Sequence, residues 1–167
     1  MRRVNVLRIS LLWLLILCLA GCMSSARQVP ANWKLTFNRT SATNNGAPLK
    51  IRVFLLRSDA NFMSADFYSL QNNAENVTGG DVLESRQFFL TQQAGDKILQ
   101  GNSPPEARFI GIIAEYQSIN GKSWRLSLPL PAPLTTNFYK FWQFSPDEMK
   151  GVVDATAGGL QYKPTDD

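Results

Sequence analysis

Apolar and polar residues alternate from Trp33 to Asn38. Trp33, Leu35 and Phe37 fall on one side, Lys34, Thr36 and Asn38 on the other. A period of two belongs to a half-buried strand. A second strand is expected at 51–56, where β-branched and aromatic residues dominate. Residues 39–48 between them are polar, with Asn44-Asn45-Gly46 as a turn signal. That connection is longer than a tight hairpin needs. Over 59–73 the period changes, and Met63, Phe67 and Leu70 repeat at helical spacing. Asp59 and Ser64 are the expected N-caps of two short helices. A strand at 85–91, a turn at Ala94-Gly95-Asp96 and a short returning strand at 97–100 follow. Residues 109–116 are nearly all apolar and read as a strand buried on both faces. Asn120-Gly121 is a hairpin signal. In the next strand Trp124, Leu126 and Leu128 point in, Arg125 and Ser127 out, and Pro129, Pro131 and Pro133 end it. An aromatic strand is expected at 138–144, and a helix start at Ser145-Pro146-Asp147-Glu148. Gly158-Gly159 leads to a last strand at 160–163. About eight short strands punctuated by turns, with a short helical insertion after strand 2, predict an all-β antiparallel sandwich.

The start of the chain has a different pattern. Arg2, Arg3 and Arg8 precede an apolar run from Leu11, which closes on Leu19-Ala20-Gly21-Cys22. A basic start, an apolar stretch and small residues at its end make a secretory signal peptide. The cysteine makes the segment resemble the lipobox of bacterial lipoproteins. That resemblance implies a diacylglycerol on the Cys22 thiol, cleavage before Cys22, and acylation of the new amine. The uncharged run at 9–25 is short for a membrane span of about 20 apolar residues. The expected organisation is a signal peptide at 1–21, a lipidated tether at 22–32 and a β-sandwich domain at 33–167. The tether can stretch about 40 Å from Cys22 to Trp33 at ~3.3–3.6 Å per residue. In enterobacterial-type sorting an Asp after the cysteine retains a lipoprotein in the inner membrane. Met23 stands there, which implies the outer membrane, with the domain facing the periplasm.

Charge and composition then remove whole classes of function. Of 17 basic residues three lie in the signal, leaving 14 against 13 acidic ones, so the net of +4 falls to +1. No nucleic-acid partner is implied, since that needs a basic patch. The 146 residues after the signal are enough for one domain with its own core. Cys18 leaves with the signal and Cys22 carries lipid, so no thiol and no disulfide remain. There is no histidine. Ser-His-Asp and Cys-His catalysis and His-ligated zinc are thereby excluded. No metal, cofactor, small-molecule substrate or catalytic residue is expected. A carboxylate pair could still hydrolyse a glycoside, but Asp81, Glu84, Glu115 and Asp147 are scattered. The aromatic group Phe138, Tyr139, Phe141, Trp142 and Phe144 could stack on sugars, and reads more simply as core with an amphipathic rim. Asn38-Arg39-Thr40 and Asn76-Val77-Thr78 match the glycosylation pattern by chance in such a lipoprotein. Neither Gly79-Gly80 nor Gly158-Gly159 has the tail of a phosphate-binding loop.

One family fits the order and spacing of these elements. The residues that carry the resemblance are Arg52-Val53-Phe54 with Leu56, Phe62, and Ala65-Asp66-Phe67 with Leu70. They continue through Gly80-Asp81-Val82-Leu83, Phe89-Leu90, Ala107-Arg108-Phe109-Ile110-Gly111 with Ala114 and Tyr116, and Trp124-Arg125. From the lipobox to about Pro131 the chain resembles the outer-membrane lipoproteins of type VI secretion, the TssJ family. Ala94-Gly95 replaces a common Pro-Gly turn, and 145–159 is longer than the usual final connection. The resemblance implies a transthyretin-like sandwich with a small helical addition and no catalysis. It implies a structural adaptor that binds the periplasmic C-terminal region of a large inner-membrane protein, TssM. By position it assigns the contact to Arg39, Thr40, Ser41, Ala42, Thr43, Asn44, Asn45, Gly46, Ala47 and Pro48. On their residues alone these ten form a surface loop with no assigned task. Such a loop should shorten to a two-residue turn without loss of stability. The alternative function is an envelope- or carbohydrate-binding lipoprotein unrelated to secretion.

Overall fold

The computed structural model describes residues 27–136 and 148–165. Two four-stranded sheets face one another. In chain order the strands are β1 (Arg27–Val29), β2 (Asn32–Arg39), β3 (Leu49–Leu56), β4 (Val82–Leu90) and β5 (Lys97–Asn102). β6 (Phe109–Glu115), β7 (Arg125–Pro129), β8 (Leu134–Thr136), β9 (Glu148–Thr156) and β10 (Gly159–Pro164) complete the set. The helices α1 (Ala60–Ser64) and α2 (Phe67–Val77) sit between β3 and β4. The first sheet has the order β10-β9-β2-β5, the second β4-β3-β6-β7, and β1 pairs with β8 apart from both. The expected sandwich with a helical insertion after its second long strand is therefore the observed one. Its pairs are antiparallel except β2 with β9, which run parallel.

The alternation in β2 places Trp33, Leu35 and Phe37 in the space between the sheets, each at most 1% exposed. Leu49, Ile51, Val53 and Leu55 of β3 and Ile110, Ile112 and Ala114 of β6 meet them. Each large side chain buried there contributes roughly 1.5–3 kcal/mol by leaving water. β3 and β6 are buried on their other faces as well. Phe54, Leu56 and Ile113 pack under Phe62, Leu70 and Ala74 of the helices. Gly111 leaves room for this. A Cβ there would stand 2.8 Å from Leu56 and 2.9 Å from Phe62. Two arginines tie the helices down. Arg52 donates to the carbonyls of Leu70 and Gln71 at 3.0 and 2.8 Å. Arg125 donates to those of Phe62 and Ala65, both at 2.8 Å. Desolvation lowers the Arg125 pKa.

Several expectations are corrected. The second helix is capped by Asp66, whose carboxylate accepts from the Ser69 amide, and Ser64 ends α1 instead. The Ser69 hydroxyl and amide hold the Asp66 pKa below its usual value. The buried stripe is Phe62, Phe67, Leu70 and Ala74, while Met63 is exposed, because the break at Ala65 resets the helical phase. The returning strand β5 pairs with β2, not with β4, so the turn before it crosses between sheets. Trp124 is half-buried and stacks on Phe67, and Arg125 is covered by the helices rather than facing water. A helix running on from Ser145 is excluded, because Glu148–Thr156 is a strand. Met149, Gly151, Val153 and Ala155 alternate inward there. Within the span expected as a tether, Arg27–Val29 pairs with Leu134–Thr136. The signal segment with Cys22, the aromatic residues 138–144 and the helix-start residues 145–147 lie outside the described residues. No described helix is long and apolar enough to cross a membrane.

Candidate docking loop at one end of the sandwich

β2 ends at Arg39, and the chain turns at Thr43–Gly46 before β3. Asn44, Asn45 and Gly46 are all left-handed, with φ of 52°, 54° and 81°. Asparagine is among the few residues that tolerate this backbone, and glycine takes it freely. The local sequence therefore dictates the shape of the turn.

Three loop side chains point inward and fix that shape. The Arg39 guanidinium donates to the carbonyls of Thr43, Ala47 and Leu90 at 2.8, 3.1 and 2.9 Å. Thr43 is fully buried, and its hydroxyl donates to the Ala155 carbonyl at the end of β9. Asn44 is 6% exposed. Its carboxamide donates to Pro48 at 2.9 Å and accepts from the Gln117 amide at 2.8 Å. Gln92 donates to the Ser41 carbonyl at 3.2 Å. The loop is thus bonded to both sheets, to the 91–96 turn and to the 116–124 connection. Behind Gln117 the Tyr116 ring is buried, and desolvation pushes its pKa up to about 12.

The ten residues singled out from the sequence therefore divide into two sets. Arg39, Thr43 and Asn44 hold the loop. Thr40, Ser41, Ala42, Asn45, Gly46 and Pro48 are exposed, and Ala47 is half-buried. The exposed set carries hydroxyl, amide and small apolar groups and no charge. Such an end can bind another protein by shape and short hydrogen bonds. A two-residue replacement would remove Thr43 and Asn44 with their bonds, so the expected cost-free shortening is corrected. The chemistry for catalysis is not brought together at this end. The cleft beside the loop has one carboxylate in its lining, Glu115, which is ion-paired to Lys50 at 3.2 Å. Among the described residues no group of His, Cys, Asp and Glu could hold a metal ion.

Sequence reading missed two features of this end. Arg39 beside a polar loop looks like a solvated charge, and only the fold reveals the carbonyls converging on it. Tyr68 and Phe89 flank the neighbouring cleft and are exposed. Their signal was present in Phe88-Phe89, since adjacent residues of a strand face opposite sides.

A family described as type VI secretion lipoprotein, under the names VasD, EvfM, TssJ and VC_A0113, matches residues 32–139. Serratia marcescens Lip, a membrane-bound component of the type VI secretion system, is 50% identical. The match covers 83% of this chain and 100% of that one, with a TM-score of 0.71. The lipoprotein TssJ1 from Pseudomonas aeruginosa is 22% identical over 83% of this chain and 98% of its own, with a TM-score of 0.70. A chain from a type VI membrane complex is 19% identical over 82% of this chain and 100% of its own, with a TM-score of 0.61. These last two show the shared fold. No curated protein matches in sequence.

Proposed function

The chain belongs to the type VI secretion lipoprotein family, and from that membership we propose that it anchors the trans-envelope secretion complex to the outer membrane. Lipid on Cys22 holds it there, and the domain faces the periplasm. Loop 39–48 docks the periplasmic C-terminal region of the inner-membrane component TssM. The observation that carries this reading is the loop itself. Arg39, Thr43 and Asn44 fix it to both sheets, and an uncharged set of six residues is left outside. A rigid scaffold that presents a shaped loop is a common basis for recognition. Preorganisation also lowers the ordering cost of binding. The family is not a known class of enzyme, and the proposed role is structural.

The test leaves the inward set untouched. Ser41→Arg with Ala42→Arg changes two exposed side chains and keeps the Ser41 backbone carbonyl that accepts from Gln92. The expected result is an unchanged melting temperature and membrane attachment, with capture of the TssM periplasmic region lost. Binding by the parent should weaken only modestly with salt, because no exposed loop residue is charged. Undiminished capture by the double variant would remove the loop from the interface.

A further inference from the structure

The helices cover only part of the outer face of the β4-β3-β6-β7 sheet. Beyond them, toward the loop end, the same face forms an open cleft of about 670 Å³. Lys50 of β3 and Glu115 of β6 form its floor, paired at 3.2 Å. Gln71 of α2 donates to the same carboxylate at 2.9 Å. Asn44 and Pro48 of the loop contribute to the end of the cleft. Of its aromatic lining, Phe67 and Tyr116 are buried, while Tyr68 on the first turn of α2 is 65% exposed and Phe89 on β4 is 60% exposed.

Tyr68 and Phe89 are placed where the fold does not need them. Phe88 and Phe67, their immediate neighbours, supply the core contacts on each element. A large aromatic side chain left mostly in water forgoes the stabilisation that burial would give it. The Tyr68 wall rests on a packed neighbour. Tyr68 stacks edge-on against Phe67 at 5.4 Å, and Phe67 against Trp124 at 5.2 Å. The floor is charge-matched, so a charged occupant would have to break the Lys50–Glu115 pair. An uncharged one could use the floor as it stands. Asn44 and Pro48 belong both to the loop and to the cleft, so a chain resting on the loop enters the cleft without a gap.

We infer that the cleft receives an uncharged peptide segment of the same inner-membrane partner, with an aliphatic or aromatic side chain seated between Tyr68 and Phe89. This rests on the docking role proposed for the loop. It makes the interface a rigid loop tip joined to an aromatic slot, the arrangement in which a few anchor residues dominate affinity.

The test uses the full chain in detergent and the partner's periplasmic region, with affinity and dissociation rate measured by surface plasmon resonance. Tyr68→Ser with Phe89→Ser empties the slot. Met63→Ser with Ile98→Ser is the control, since both are exposed and neither lines the cleft. Ser41→Arg with Ala42→Arg reports on the loop separately. The expected result is at least tenfold weaker binding for the slot variant, mainly through faster dissociation. The control should stay within twofold, and all variants should melt like the parent. Slot-variant binding within twofold of the parent, with the loop variant impaired, overturns the slot and leaves the loop standing. Parent-like binding by both, or no binding by the parent, overturns both readings. A slot variant that changes only the self-association of the chain assigns the cleft to a second copy and also overturns the inference.

Discussion

Arg39 at the end of β2 donates to the carbonyl oxygen of Leu90 at the end of β4, at 2.9 Å. One side chain thereby ties the root of the loop to the opposite sheet. The same guanidinium holds two loop carbonyls. Charged hydrogen bonds contribute about 1.5–3 kcal/mol. Arg39→Ala is expected to destabilise the domain by roughly that amount in a urea titration. Arg39→Lys should recover little of it, because an ammonium cannot reproduce the planar fork. A melt like the parent's for Arg39→Ala would show that the loop keeps its shape without this post.

Gly111→Ala is expected to cost about 1–3 kcal/mol, the usual range for overpacking a filled core. The new methyl would press on Leu56 and Phe62. Phe62→Leu replaces the ring with a smaller side chain, so the double variant should lose less than the sum of the two single changes. Denaturant titrations of all four proteins give the coupling. Strict additivity would mean that the Gly111 site is not shaped by Phe62.

Tyr116 sets a limit at high pH. Its pKa is raised by burial from 10.0 to about 12, so the folded state holds its proton more tightly than the unfolded chain. Stability from this group is full below pH 10 and falls between pH 10 and about 12. Burial raises the Tyr162 pKa too, with the same sign. Tyr116→Phe should flatten part of that decline. The Thr156 backbone only partly opposes the rise in pKa, and the Tyr116 hydroxyl makes no well-formed hydrogen bond among the described residues, so the substitution should cost little at neutral pH. Melting curves from pH 8 to 12 decide both points.

Cys22→Ser tests the anchor. A single acyl chain holds a protein only marginally, at ~0.8 kcal/mol per buried CH₂, and several hold it firmly. The variant is expected to be uncleaved or soluble, in either case absent from the outer-membrane fraction, and to melt like the parent, since the described fold begins at Arg27. Sedimentation with the outer membrane, unchanged from the parent, would refute lipidation at this residue.

Strand positions were legible wherever one face is buried. Trp33, Leu35 and Phe37 show why, because a two-residue period has no helical reading. Met149, Val153 and Ala155 follow the same rule, but Ser145-Pro146-Asp147-Glu148 imitates a helix start just before them. The pairing of β5 was hidden because short connections favour neighbours, and a turn that crosses between sheets leaves no mark in composition. At the docking end the loop and its turn residues were visible. The division of labour within it was not, because Arg39, Thr43 and Asn44 bond to Leu90, Ala155 and Gln117, which lie far along the chain.

The line from Cys22 to the loop runs through the short β1 and then the whole length of β2. The covalent reach from Cys22 to Arg27 is at most about 18 Å. β2 then covers roughly 26 Å in eight residues and ends where the loop begins. If Cys22 is held and the loop is pulled, the tension passes along the covalent backbone of β2. It need not cross from one sheet to the other. β5 and β9 flank that strand along most of its length, so their hydrogen bonds would be loaded together in shear rather than opened one at a time. The domain is built less like a hinge between anchor and partner than like a sheathed cable.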